Sequence, residues 1–114
     1  MVEQLHPQLD HVFQALSDQT RRAMLVQLAR SERTISELAA PFDMSLAAAS
    51  KHVKSLERAG LVQRRIAGRS HFCRLNPVPL AEAQAFLRFY EQYWSTRLDA
   101  LAELFGQTDE ESSS

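Results

Sequence analysis

Between Arg21 and Arg74 the chain carries eleven basic side chains against four acidic ones, a net +7. Lys51, Lys54, Arg58, Arg64, Arg65 and Arg69 crowd the second half of that stretch. Guanidinium and ammonium groups at this density suit neutralisation of a polyanion, which responds to the local field and not to the total. The total is only −1, because residues 1–20 carry −3 and residues 75–114 carry −5. Other chemistry is hard to assemble. His6, His11, His52 and His71 fall on different elements, and the lone Cys73 allows neither an intramolecular disulfide nor a multi-cysteine zinc site. Within a strand it reads as a small buried hydrophobe in preference to a redox thiol. No nucleophile–base–orienter set, paired carboxylates or phosphate-cradling glycine loop is legible, so neither an enzyme nor a bound cofactor is expected.

The elements that must position the basic groups follow from period and caps. Leu9, Val12, Phe13 and Leu16 recur at helical spacing, and Ser17-Asp18 separates that helix from a second over Gln19 to Arg30. The second helix is expected to turn Met24, Leu25, Leu28 and Ala29 inward. Thr34-Ile35-Ser36-Glu37 is a capping box that opens a short third helix, which Pro41 must end. Ser45 caps a fourth helix with Ala49, Val53 and Leu56 inward, and Gly60 stands where a left-handed residue ends it. Leu61–Ile66 and Ser70–Leu75 then flank Ala67-Gly68-Arg69 as a hairpin. A last helix, from about Leu80 to Phe105, carries Leu87, Tyr90, Trp94, Leu98, Leu101 and Phe105, and Gly106 is expected to stop it.

A short capped helix, a turn and a second capped helix followed by a basic hairpin is the order of a winged helix-turn-helix. The expected class is mainly α with a small β-hairpin, in the order α-α-α-α-β-β-α. At 114 residues and 45% apolar content, residues 1–105 are read as one domain, with 106–114 a disordered acidic tail. No apolar run reaches the roughly 18–20 residues of a membrane span, and the N-terminus lacks the basic and apolar regions of a signal peptide. A cytoplasmic protein without membrane attachment is expected.

The motif Ala15-Leu16-Ser17-Asp18-Gln19-Thr20-Arg21-Arg22 resembles the entry motif of ArsR-type (arsenic-repressor-like) winged helix-turn-helix regulators. Residues 44–62, from Met44-Ser45-Leu46 through Ser50-Lys51-His52 to Ala59-Gly60-Leu61-Val62, are similar to that family's recognition helix and its step into the wing. Gly68-Arg69 and Cys73-Arg74-Leu75 match the wing tip and exit, and the resemblance spans about residues 9–105. It implies a homodimer, held by the first and last helices, that represses by occupying a double-stranded operator. Leu9, Val12, Phe13, Leu87, Tyr90, Trp94, Leu98, Leu101 and Phe105 are the candidate dimerisation residues. The aromatic and aliphatic stripe of the last helix supports a dimer on its own, being more apolar surface than so small a domain covers.

Ser45, Leu46, Ala47, Ala48, Ser50, Lys51, Lys54, Arg64, Arg65 and Arg69 are the candidate DNA contacts. Leu46, Ala47 and Ala48 cannot hydrogen-bond base edges but can touch thymine methyls, which shifts specificity towards apolar contact and DNA shape. His52 is expected to pack within the domain. Arg21 and Arg22 are either phosphate contacts or exposed charge. Where metal-sensing relatives carry a cysteine pair, this chain has Ile35, Ser36, Glu37 and Leu38, and its last helix has no histidine. The chain therefore resembles a subgroup without metal-sensing motifs, and a frayed terminus is preferred to metal binding by His6 and His11. A winged-helix interaction module without direct DNA binding is the alternative function, and a small-molecule or protein effector is left open.

Overall fold

The computed structural model describes residues 2–113, with side chains described for residues 8–106. Its elements are α1 (Val2–Leu16), α2 (Gln19–Arg30), β1 (Arg33–Thr34), α3 (Ile35–Ala39), α4 (Leu46–Arg58), β2 (Val62–Ala67), β3 (Ser70–Leu75) and α5 (Val78–Ser113). They fall into two compact units, Met1–Ala83 and Gln84–Ser114.

In the first unit the helix starts follow the capping chemistry. Asp18 accepts the Arg21 backbone N–H at 3.0 Å. Thr34 accepts from Glu37 N while Glu37 accepts from Thr34 N, completing the box that opens α3. Ser45 accepts from Ala48 N at 3.1 Å. Each bond satisfies a backbone donor that the first helical turn would otherwise leave without a partner.

The end of α4 is equally specific. Gly60 takes φ +76°, Gly60 N donates to Glu57 O and Leu61 N donates to Leu56 O. This is a Schellman closure, with Leu56 and Leu61 both fully buried beside it. It redirects the chain into β2. A side chain at Gly60 would be strained by the backbone and would stand 3.1 Å from the Gln8 amide and 3.4 Å from Pro79. Asn76 then donates to Gly60 O through its side chain, and to Leu61 O through its backbone, closing the base of the hairpin.

The β-sheet has three antiparallel strands in the order β1-β3-β2, one more than the hairpin expected from sequence. β1 is two residues long, and it is a strand because Arg33 and Thr34 pair with Cys73 and Phe72 of β3. No local period announces so short a segment. At the wing tip Ala67 pairs with Ser70 across Gly68-Arg69. Only the first of those two residues has positive φ (Gly68, +62°), the pattern of a type II′ turn, which matches the twist of the strands.

The core of this unit gathers Met24, Leu25 and Leu28 of α2, Ile35 and Leu38 of α3, Ala49, Val53 and Leu56 of α4, and Cys73 of β3. Ala29 is exposed, contrary to its expected inward position. Leu9 and Val12 of α1 are also core residues, with Val12 entirely buried. They have little or no surface to give a partner, whereas Phe13 beside them is half-buried.

The second unit is the remainder of α5. Leu87, Tyr90, Trp94, Leu98, Leu101 and Phe105 are all exposed, and steps of three and four align them along one face. Phe89, Tyr93 and Leu104 are exposed as well and widen the apolar arc on one side. Gly106 does not take a left-handed conformation, and α5 continues through it to Ser113. The expectation that Gly106 ends the helix is therefore corrected. The side chains of the acidic tail, residues 107–114, lie outside the described residues.

Candidate nucleic-acid interface

α4 divides by face. Ala49, Val53 and Leu56 turn inward, while Ala47, Lys51 and Lys54 share an exposed side with half-buried Ser50. Leu46, directly after the Ser45 cap, is 56% exposed although it is a large apolar residue. An open cleft runs between the start of α3, the start of α4 and the wing, lined among others by Ser36, Leu46, Ser50, Arg69 and His71. Sequence reasoning named Leu46, Ser50 and Arg69 but missed Ser36 and His71. The capping box locates Ser36 on α3, yet only the tertiary fold carries it to face the wing.

The wing arginines are not equivalent. Arg69 at the tip is exposed. Arg64 is partly buried and donates from Nη2 to Glu57 of α4 at 2.6 Å, with Nη1 3.2 Å from His71 Nδ1. Arg65 pairs with Glu32, and its guanidinium carbon lies 4.7 Å from the centre of the Phe72 ring. The structure thus gives two of the three expected wing contacts carboxylate partners inside the protein.

Arg21 and Arg22 also have defined internal partners. Arg21 donates to Ala15 O at 2.8 Å and Gln14 O at 2.9 Å, and Arg22 donates to Leu16 O at 2.7 Å. Both side chains therefore satisfy the carbonyls that α1 leaves open at its C-terminus, where cations are favoured by the helix dipole. Arg21 Nη1 also lies 3.3 Å from His52 Nδ1. His52 is accordingly held within the domain, facing α2, in line with its expected packing role.

The Asp18 carboxyl is held below its ordinary pKa, chiefly by the Arg21 backbone N–H. Partial desolvation opposes this, and the Arg21 and His52 charges reinforce it. Its folded pKa is thus below the unfolded one. Its stabilisation is complete above the unfolded aspartate value, ~4, and is lost as pH falls through the depressed folded value. Thermal melts taken from about pH 6 down to about pH 3 should show falling stability. Asp18→Asn should flatten that slope, and an unchanged slope would exclude Asp18 as a contributor.

Burial pushes the Cys73 thiol up, with Arg64 opposing. The residue is fully buried, as expected of a small core hydrophobe. Among the described residues no group of three or more His, Cys, Asp or Glu could hold a metal ion. The His6 side chain lies outside them. Ile35 and Leu38 are buried, and Glu37 is engaged with Thr34. Among the described residues no helix is long and apolar enough to cross a membrane.

A capped helix with one apolar and one exposed polar face, followed by a hairpin that β1 extends to a three-stranded antiparallel wing, defines the winged helix-turn-helix class. A helix-turn-helix domain family matches residues 16–65. The chain is 37% identical over 95 residues to the HTH-type transcriptional regulator Rv2034 of Mycobacterium tuberculosis, covering 83% of this chain and 86% of that one. The crystal structure of an ArsR family transcriptional regulator is similar at 40% identity and a TM-score of 0.74, covering 78% of this chain and 92% of that one. The solution structure of a homodimeric winged helix-turn-helix DNA-binding domain from Mycobacterium bovis, described as a possible ArsR-family regulator, is similar at 28% identity. Its TM-score is 0.63, with 80% of this chain and 86% of that one covered. This chain belongs to the ArsR family of winged helix-turn-helix transcriptional regulators and is not an enzyme.

Proposed function

We propose that this regulator acts in the cytoplasm as a homodimeric repressor. It occupies an inverted-repeat operator through α4 and the wing, without a metal signal. The observation that carries the reading is the exposed face of α4, with Lys51 and Lys54 on the solvent side and the exposed Arg69 on the wing that follows. Ser45, Ser50 and these cations supply polar and phosphate contacts, while Leu46, Ala47 and Ala48 meet thymine methyls. Two-fold symmetry sets the two reading helices one DNA turn apart, about 34–36 Å. The exposed face of α5 supports the dimer, as does the homodimeric state of the Mycobacterium bovis relative.

The test is a gel-shift titration on the promoter DNA of the protein's own gene. Affinity should fall steeply between about 50 and 200 mM salt, because bound phosphates release counterions. Lys51→Glu and Arg69→Glu should each weaken binding by about tenfold or more, since each replaces attraction to phosphate with repulsion. Salt-independent binding that neither substitution changes would overturn the reading. Addition of Zn²⁺, Cd²⁺ or arsenite should leave the affinity unaltered. Metal-dependent release of DNA would defeat the non-metal part alone.

A further inference from the structure

The ion pair between Glu57 and Arg64 joins the reading helix to the wing, and nothing in the proposed DNA contacts accounts for it. Glu57 sits in the last turn of α4, on the side that meets β2, and Arg64 is the third residue of β2. Their side chains are only 31% and 21% exposed, and the contact is 2.6 Å. Arg64 also reaches His71 on the neighbouring strand, and its Nε is buried without an acceptor. The guanidinium is therefore set into the angle between helix and sheet and does not project from the wing surface.

We propose that Arg64 is a positioning residue and not a phosphate contact. With Glu57 it fixes the angle of the wing against α4, so that Arg69 meets the DNA backbone at the correct distance from the reading helix. Three observations support this. The hydrogen bonds of Asn76 hold the hairpin only at its base, whereas Arg64 ties it further along β2. Moving Arg64 to a phosphate would leave the half-buried Glu57 carboxylate unpaired beside a polyanion, a costly arrangement. On the same strand, Arg65 is tied to Glu32 in the turn after α2, a second anchor in the same sense.

The inference rests on the DNA-binding reading, and the tests separate the two. Wild-type protein, Glu57→Gln, Arg64→Gln, the double variant and Arg69→Gln are titrated with promoter DNA across a salt series. The two roles of Arg64 give opposite signs for Glu57→Gln. A brace loses its partner, and binding weakens by about three- to tenfold. A phosphate contact that Glu57 merely competes for is released, and binding tightens.

The brace further requires that Arg64→Gln weaken binding without changing the salt slope, and that the double variant be no worse than either single one. Arg69→Gln should lower the slope by about one. Tighter binding by Glu57→Gln, or a slope lowered by about one in Arg64→Gln, would overturn the proposal. Should a single variant fail to fold, the double variant removes both charges together and is compared alone, with an unchanged salt slope required. If the wild-type protein ignores DNA altogether, the functional reading fails. Thermal melts of the wild-type protein, Glu57→Gln, Arg64→Gln and the double variant then decide the brace, which is refuted if Glu57 and Arg64 show no coupling.

Discussion

Leu98→Asp is expected to convert the proposed dimer into a monomer and to lower operator affinity by about two orders of magnitude or more. Leu98 is 57% exposed and lies on the same face of α5 as Leu87, Tyr90, Trp94, Leu101 and Phe105. An aspartate at an exposed position costs the isolated chain little. At a two-fold interface the same change buries a carboxylate on each side of the axis, and the two charges also repel. Operator affinity falls because a dimer binds its second half-site intramolecularly, an advantage of roughly 10²–10⁴ that separate monomers lack. Light scattering on the eluting protein reads the oligomeric state, and the promoter gel-shift reads the affinity. A variant that remains dimeric and binds normally would place the interface elsewhere.

Leu56→Ala should be the most damaging single core truncation in the DNA-reading unit. Leu56 is fully buried, on a helix that packs against α1, α2, α3 and β2. Its carbonyl also accepts the Leu61 N–H in the closure that turns the chain into the wing. Deleting a buried leucine side chain costs about 2–5 kcal/mol, a large share of the roughly 5–15 kcal/mol that holds a domain folded. At about 4–8 °C per kcal/mol for a unit of this size, the melting temperature should fall by at least ~8 °C. A urea or thermal melt measures this directly. A loss below about 1 kcal/mol would show that neighbouring side chains collapse into the space.

These two expectations come from different levels of information. The apolar stripe of α5 is legible in sequence because its members recur every three or four residues, and exposure then shows that the face is open. The inward set Ala49, Val53 and Leu56 is legible for the same reason. His52 lies between them in sequence, yet its partner Arg21 is 31 positions away, and no local pattern indicates such a pairing. The basic wing shows the limit of composition most clearly. Arg64, Arg65 and Arg69 look alike as a charge run. The fold gives the first two carboxylate partners and leaves the third exposed.

What the amino-acid sequence determined by itself is whatever depends on neighbours within a few residues. The Asp18, Thr34–Glu37 and Ser45 caps, the left-handed Gly60, the Gly68 turn and the helical periods are all of this kind. Their energetics close within one turn of chain, so residue type and spacing suffice. Tertiary structure decided what depends on distant partners. It made a strand of Arg33–Thr34 by pairing it with β3 and drew Leu9 and Val12 into the core. It also joined Glu57 to Arg64 and carried Ser36 across to face the wing. Gly106 shows the same division from the other side. Glycine permits a left-handed helix end but does not compel one, and at this position the helix continues.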